Sequence, residues 1–441
     1  MDGEKKVVVF RVREFDMEKD LAAAEELERR CQVGLCGDDD AGDDDDSGGK
    51  RKTKRKKKRS GMSLSVEQVG DPLARVRHAP EHVMLVAEYG KEQELVGIIK
   101  ACVKTVARGG GGAGNEKQKP SPAFVKVACL LGLRVSPSHR YGGNLHFPIS
   151  CGRMHNASIF RLNANAAGDR DGAGGARGGV VPCAWASNAA SLALFTGRFG
   201  YSPFRRPEFL GRPVHAHRLG VPAGHRVLQL PPPLAAAAYA RLLPPRTAEF
   251  LPADMPALLA HKLTLGTFVA IEARPDPSLP PSFAVLSVWD STRSMRLRVR
   301  GAPALLRASL AALRALDRGA PWMRVPSIPD IFRPFGAYLL YGLRMSGPAG
   351  PALLRSLCHH AHNVARKNPA CAVVAADVAP DDPAAAAVPR WRRFSCDEDV
   401  WCIKKLSKNG DNGGAAGGDD DDDWAAPAPP GTVLFVDPRE F

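Results

Sequence analysis

A basic loop that carries a glycine follows an apolar stretch in the first half of the sequence. The stretch begins at Val125, reads VKVACLLGLRV, and is short and apolar enough for a strand inside a sheet. Pro137 ends it, because proline has no N–H to donate to a strand ladder. Arg140 and Gly143 follow in the order Arg-x-x-Gly. Such a loop can offer a positive charge and backbone N–H groups, so the spacing predicts a phosphate-binding loop.

The best-placed carboxylate for proton transfer is Glu88, which ends the first strand of a predicted hairpin. A glutamate there can act as a general base, or it can be an exposed residue at a strand edge. His78 and His82 flank the start of the same strand and could also act as bases. For both histidines the pattern favours a surface or structural role.

Cys358 and His362 are four residues apart on a predicted helix and share one face, which is a spacing that metal ligands use. The same helix carries an apolar stripe through Leu354, Leu357 and Val364, and no CxxC pair accompanies it. The pattern therefore favours packing, and we predict no metal site. The chain has ten cysteines and starts without the form of a secretory signal, which favours buried thiols over disulfides.

The net charge of +14 on 441 residues is concentrated in one run. Nine basic residues lie in Lys50–Arg59, which leaves a net charge of +5 elsewhere. Aspartate and glycine runs surround it, so 37–61 is predicted to be a disordered insert. The basic run is typical of a nuclear import signal, a nucleic-acid contact or a solvated loop. The neighbouring aspartates and the lack of interleaved aromatic residues argue against direct nucleic-acid binding. No apolar stretch is long enough to span a membrane.

The first half of the chain predicts a fold that mixes strands and helices. A strand at Val7–Phe15 precedes a helix at Asp16–Cys31, whose leucines and alanines recur three or four residues apart. Two strands, Val83–Glu88 and Leu95–Val106, form a hairpin before the strand at Val125. A further helix is predicted within Ser187–Tyr201.

The second half predicts another set of strands and helices. The predicted strands are Gly266–Ala273, Phe283–Asp290, Met295–Arg300, Cys371–Val378, Trp401–Leu406 and Val433–Val436, and the helices are Ala302–Leu316 and Ala349–Ala365. We therefore predict a first domain over 1–36 and 62–218, a linker over 219–245 and a second domain over 246–441. The Gly/Asp-rich loop at 409–423 is predicted to be disordered.

The order of elements and several motifs resemble the GNAT-type N-acetyltransferases, and more narrowly the plant HOOKLESS-type N-acetyltransferases. The motifs are Leu131–Arg140, Asn188–Tyr201, Val214–Arg218, Lys262–Ala270, Ser395–Lys404 and Phe435–Phe441. The resemblance implies an α/β (α+β) fold of tandem GNAT-like domains, each a mixed twisted sheet flanked by helices, with the second domain degenerate. The motifs SCDEDVWCIK and VDPREF have no catalytic pattern of their own and could shape an acceptor site or bind a partner.

The resemblance also implies roles for individual residues. Leu133, Arg134 and Val135 would pair through their backbone with the pantetheine arm of acetyl-CoA. Arg140 and Gly143 would hold its pyrophosphate.

Further along the chain, Asn188 would lie near the cofactor. The match departs from the family at Leu145, where a small residue is expected, and at Phe195, where many relatives carry a tyrosine that protonates the leaving thiolate.

The implied function is an acetyl-CoA-dependent N-acetyltransferase. It would act in the nucleus on protein lysines, histones among them, in the control of plant growth and hormone responses, and an importin would bind Lys50–Arg59. The alternative is a regulatory protein that keeps the fold without catalysis. The stretch 144–186 fits neither helix nor strand periodicity. It is either an altered gene model or a variant that has lost the acetyl-CoA site.

Overall fold

A computed structural model describes residues 10–31, 33–34, 62–109, 124–139, 181–186, 189–275, 277–395, 400–404, 429 and 431–440. The charged insert at 37–61 and the acidic loop at 409–423, both predicted to be disordered, lie outside these residues. Within the described ranges, no helix is both long and apolar enough to cross a membrane.

The first half follows the predicted order of strand, helix, hairpin and buried strand. Its elements are β1 (Phe10–Glu14), α1 (Met17–Arg30), β2 (Val33–Gly34), β3 (Ser63–Gln68), β4 (Glu81–Tyr89), β5 (Glu94–Ala107), β6 (Phe124–Val135), β7 (Val181–Ala186), α2 (Ala189–Ala193), β8 (Ser202–Arg205) and β9 (Glu208–Pro213). β4 and β5 form the predicted antiparallel hairpin, and β6 pairs with β5. The predicted helix that begins at Asp16 is confirmed as α1.

The second half contains more strands than the sequence predicted. Its elements are β10 (His225–Leu230), α3 (Pro232–Leu242), β11 (Ala248–Glu249), α4 (Met255–Leu259), β12 (Thr264–Glu272), β13 (Phe283–Asp290), β14 (Met295–Arg300), α5 (Ala304–Gly319), β15 (Gly336–Ser346), α6 (Gly350–Ala365), β16 (Cys371–Val378), α7 (Pro383–Ala387), β17 (Val400–Ile403) and β18 (Val433–Leu434). β13, β14 and β16 have the predicted bounds. β15 lies in the middle of a sheet and was not identified from the sequence.

Two large sheets organise the chain. The first has the order β1-β4-β5-β6-β7-β17-β8, and the second has the order β10-β12-β13-β15-β16-β9. β6 pairs with β7 and β15 with β16 in parallel, whereas the other neighbours in these sheets are antiparallel. The predicted α/β fold with two mixed sheets flanked by helices is confirmed.

The two halves exchange strands across the predicted linker. β9 precedes the linker in the chain yet pairs with β16 in the second sheet, and β17 inserts between β7 and β8 of the first. The segment 219–245, predicted to be a linker, holds β10 and α3 instead. Pro231–Pro233 suggested the linker, but they begin α3, because proline is favoured in the first turn of a helix.

Each sheet carries a long helix whose apolar face is buried against it. α1 is capped by Asp16, whose side chain accepts from the N–H groups of Glu18 and Lys19, and it buries Ala24 and Leu27 beside β4 and β5. α6 packs on β12, β13 and β15 and buries three leucines completely. These leucines are Leu353, Leu354 and Leu357. The seven described cysteines are free thiols and buried, as predicted.

Candidate active site

β6 and β7 pair along only part of their length and then separate. The parallel pairing runs from Val127 opposite Val181 to Leu130 opposite Ala184. β6 continues to Val135 and β7 to Ala186, but no described strand pairs with the β7-facing edge of β6 beyond Leu130. Backbone N–H and C=O groups need partners when they are buried, so this open edge can accept an extended ligand as an added strand.

A β-bulge at Gly132 bends β6 at this point. The pairing with β5 shifts register between Lys100 opposite Leu131 and Ile98 opposite Arg134. Gly132 has φ +63°, a left-handed conformation that glycine adopts readily and other residues avoid. A bulge of this kind increases local twist and leaves one residue outside the ladder. The bulge therefore bends β6 one to two residues after Leu130, and pairing with β5 resumes at Arg134.

A cavity of about 290 Å³ opens at this point, between the two halves of the chain. Its lining is contributed by the bulged end of β6, the turn after α2, β15 and the segment 436–440. Lining residues include Gly132, Leu133, Phe195, Leu339, Tyr341 and Glu440. Largely apolar walls with a few polar groups are usual for sites that bind small molecules and cofactors.

Glu88 lies in a buried cluster of ion pairs near the turn of the β4–β5 hairpin. Arg13 donates to one Glu88 oxygen at 2.6 and 2.8 Å and to both Asp20 oxygens at 2.6 and 2.7 Å. Lys19 Nζ lies 3.0 Å from the same Glu88 oxygen. Burial favours the neutral acid, but the hydrogen bonds and charges of Arg13 and Lys19 outweigh it and lower the pKa of Glu88. Glu88 is not among the described residues that line the cavity.

A second buried cluster of charges lies where 435–440 packs against β5 and β6. Lys104 Nζ is 2.5 Å from Glu440 Oε1 and 3.7 Å from Asp437 Oδ2. Arg439 pairs with Asp437 at 2.7 Å and with Asp254 at 2.6 Å. The side chains of Lys104, Asp437 and Glu440 are at most 5% exposed. The sequence assigned VDPREF no catalytic role, because its burial depends on the fold of both halves.

Comparison with known proteins gives the family. No protein-family model matches the chain. It is 70% identical over 449 residues to the rice (Oryza sativa subsp. japonica) protein "Acetyl transferase GW6a", with 98% of both chains covered. It is 39% identical over 449 residues to the Arabidopsis thaliana protein "Probable N-acetyltransferase HLS1", over 98% of this chain and 99% of that one. The chain belongs to the plant HLS1-type N-acetyltransferase family. The predicted resemblance and the class of enzyme are therefore confirmed.

Solved structures resemble this N-acetyltransferase only distantly. Saccharomyces cerevisiae N-myristoyltransferase with bound myristoyl-CoA matches with a TM-score of 0.47 and 12% identity, over 91% of this chain and 80% of that chain. A similarity at that level does not bear on substrate or mechanism.

The structure of this N-acetyltransferase places three of the predicted cofactor residues at the open edge. Leu133 and Arg134 line the cavity, and Val135 ends β6. Their predicted role in holding pantetheine stays a prediction. Arg140, Gly143 and Asn188, which were predicted to contact the rest of the cofactor, lie outside the described residues.

β7 is the element that sequence reasoning missed at this site. It lies at 181–186, inside the stretch 144–186 that showed no strand periodicity. Pro182 obscured it, since proline is rare in central strands. The alternating apolar residues Val181 and Cys183, followed by Trp185, were the available signal.

Phe195 lies beside the cavity, on the π-helical turn Leu194–Arg198 that follows α2. Its ring centroid is 5.7 Å from that of Phe199 and 5.3 Å from that of Tyr201, both in edge-to-face geometry. The phenyl ring has no proton to give to a leaving thiolate. Burial raises the pKa of the Tyr201 hydroxyl far above its ordinary value.

Cys358 and His362 are engaged in packing and hydrogen bonding. His362 Nε2 accepts from the backbone N–H of His215 at 2.8 Å, and burial lowers the pKa of His362 to about 3. Burial raises the pKa of the Cys358 thiol to about 12. His78 and His82 also have pKa values lowered chiefly by burial, that of His78 to about 4. The His78 ring is in edge contact with His261 at 4.9 Å.

Proposed function

We propose that this protein transfers the acetyl group of acetyl-CoA to an amine. The observation that carries the proposal is the separation of β6 from β7 directly beside the cavity. An open strand edge offers backbone groups to the amides of a pantetheine arm, and the cavity offers space where the thioester can meet an acceptor. Family membership supports the same chemistry, because both relatives compared above are named as acetyltransferases.

In this proposal Leu133, Arg134 and Val135 hold the pantetheine arm through their backbone. Arg140 and Gly143 hold the pyrophosphate, and Asn188 lies near the cofactor. The acetyl group then lies close to Leu130, where the strands separate. No step in this arrangement requires a metal ion.

For the acceptor we propose a lysine of a protein, with histone tails as the first candidates. A lysine has a long apolar stem that ends in an ammonium group. The cavity has a matching character, because leucines from β14 and β15 and several acidic residues are among those that line it. These lining leucines are Leu297, Leu339 and Leu340.

The first test is binding and turnover with the full chain. Calorimetry with acetyl-CoA should show saturable binding, and incubation with acetyl-CoA and lysine peptides or histones should release free CoA thiol and form acetyl-lysine. No heat at about millimolar acetyl-CoA, together with no acetyl transfer, would contradict the proposal. That result would favour the alternative of a regulatory protein that keeps the fold without catalysis.

We further propose that the protein acts in the nucleus, in control of plant growth and hormone responses, and that an importin binds Lys50–Arg59. Deletion of this run from a fluorescent fusion of the full chain should move the signal to the cytoplasm. A matched control replaces the aspartates at 43–46 by asparagine and should leave the distribution unchanged. A nuclear signal that survives the deletion would remove the import role.

A further inference from the structure

The segment 435–440 brings a carboxylate to the point where β6 and β7 separate. Its last described turn, Pro438–Glu440, contacts β15 of the second sheet and pairs with Lys104 on β5 of the first. Arg75 helps to hold it by donating to the backbone carbonyl of Glu440 at 2.9 Å. A Glu440 carboxylate oxygen lies within 4.8 Å of the Cys129 sulfur. Cys129 directly precedes Leu130, which is the last residue of β6 paired with β7.

Glu440 also lines the cavity that we assign to the thioester and the acceptor. Glu440 and Gly132 both line it, so the acid and the bulged strand belong to one site. The Glu440 side chain is only 5% exposed, so bulk water does not compete freely for it. Its carboxylate oxygens are themselves buried, and a general base that does not touch the amine directly can act through one bridging water.

The buried cluster around Glu440 contains more carboxylates than cations. The cluster contains three carboxylates, Asp254, Asp437 and Glu440, and two cations, Lys104 and Arg439. Asp437 is bound by Arg439 through several hydrogen bonds, and its pKa is lowered to about 2 despite burial. Burial and the charge of Asp437 raise the pKa of Glu440, which Lys104 only partly offsets. Glu440 is therefore the member of the cluster that can gain and lose a proton.

We propose that Glu440 is the general base of the acetyl transfer, an inference that rests on the function proposed above. The acceptor ammonium gives one proton, through a bridging water, to the Glu440 carboxylate. The neutral amine attacks the carbonyl carbon of acetyl-CoA, so that a C–N bond forms and the C–S bond breaks. The second amine proton ends on the departing sulfur and gives the CoA thiol. Glu440 then releases its proton to water, and the charges balance.

Two other roles for this cluster fit the structure less well. Cys102 and Cys129 with Glu440 could be read as a metal-binding group, since their ligand atoms lie within 4.8 Å of one another. However, the Lys104 ammonium lies 2.5 Å from this carboxylate, so a metal ion bound there would meet a like charge. The pKa of Cys102 is raised by a hydrogen bond to Cys129 and by burial, and that of Cys129 is raised by burial, so both thiols stay protonated. A purely structural role would not need Glu440 to line the cavity, or the cluster to hold more carboxylates than cations.

The test compares three glutamine variants of the full chain: Glu440→Gln, Glu88→Gln and Glu249→Gln. Glu249 is a matched control, because it is also buried and paired with Arg205 at 2.7 Å but does not line the cavity. We expect Glu440→Gln to lower kcat by about 10²- to 10⁴-fold while calorimetry shows unchanged affinity for acetyl-CoA. Glu249→Gln should keep kcat close to the wild-type value.

The pH profile separates a base from a structural residue. In the wild type, kcat/KM should fall as the pH drops below the pKa of Glu440, and the variant should lose this acidic limb. The groups that shift that pKa are Lys104 on β5, Cys129 on β6 and Asp437 on its own segment. Cys102 on β5 and Arg439, which pairs with Asp437, are further titratable or charged groups of the cluster.

An active wild type together with a fully active Glu440→Gln, or a loss confined to Glu88→Gln, would overturn the inference and leave the proposed function standing. A wild type without acetyl transfer would overturn both. If Glu440→Gln does not bind acetyl-CoA and unfolds, Glu440→Asp replaces it. That variant keeps the charge, withdraws the carboxylate by one methylene, and should lower kcat by about tenfold or more. An unchanged kcat in Glu440→Asp would count against the inference.

Discussion

Glu88 and Glu440 are both buried glutamates that pair with a lysine, yet their surroundings give them opposite properties. Arg13 and Lys19 both contact Glu88, and they lower its pKa. Glu440 shares Lys104 with Asp437, and its pKa is raised. The difference shows that burial alone does not make a carboxylate a base. The number of cations available to each carboxylate decides which one can exchange a proton.

The two clusters also differ in what they hold together. The Glu88 cluster joins β1, β4 and the first turn of α1, because Arg13 bridges Asp20 and Glu88. The Glu440 cluster joins β5 to 435–440 and lines the cavity. We therefore interpret the first as a structural clamp of the amino-terminal elements. The second connects the first sheet to the segment that completes the proposed site.

The largest expected effect comes from removing the central cation of each cluster. Arg13→Met leaves Asp20 and Glu88 buried without their main partner and should lower the free energy of unfolding by about 3–5 kcal/mol. Lys104→Met should cost less, because Asp437 keeps Arg439 and Glu440 can take up a proton. Urea unfolding of both variants at neutral pH measures the difference. An equal loss in the two variants would remove the distinction between the clusters.

The parts of the fold that the sequence predicted correctly depend on local patterns. Asp16 at the start of α1, the β4–β5 hairpin and the apolar run of β6 each lie within a short window. The insertion of β17 into the first sheet could not be predicted in the same way, since its partners β7 and β8 lie about 200 residues earlier in the chain.

Only part of the proposed site could be predicted from the sequence, for the same reason. Leu133, Arg134 and Val135 belong to a strand with a clear apolar pattern, and they line or adjoin the cavity as a group. Glu440 lies in a motif rich in charged residues, which in isolation is typical of an exposed segment. Its burial comes from contact with β5 and β6, and no local window records that contact. The sequence suggested Glu88 as a base because it ends a strand. The cations that pair with it, Arg13 and Lys19, come from β1 and α1.

A matched pair of glycine substitutions tests whether backbone strain at the bulge of β6 weakens acetyl-CoA binding or lowers only the stability of the fold. Gly132 and Gly90 both have positive φ, +63° and +77°, and a Cβ at either would meet no atom closer than 3.6 Å. Replacing either by alanine should lower the free energy of unfolding by about 1–2 kcal/mol, from backbone strain alone. Only Gly132→Ala should also weaken acetyl-CoA binding, by roughly fivefold, because it disturbs the bulge at the open edge. Calorimetry and urea unfolding give both quantities, and equal affinity in the two variants would contradict a role for the bulge.

The smallest effect is a difference in the pH dependence of stability. Glu88 has a lowered pKa in the folded state, so its contribution is present above the unfolded value of about 4.3 and is lost as pH falls through the folded pKa. Glu440 has a raised pKa, so the folded state binds its proton more tightly and stability falls as pH rises from about 4.3 through the folded pKa. Glu88→Gln should therefore be less stable than the wild type at neutral pH, and this difference in the free energy of unfolding should disappear at acidic pH. The stability of Glu440→Gln relative to the wild type should instead increase as the pH rises above about 4.3. Urea unfolding across the acidic range gives, for each variant, the slope of the stability difference from the wild type against pH. Slopes of the same sign would show that the cations around the two carboxylates do not distinguish them.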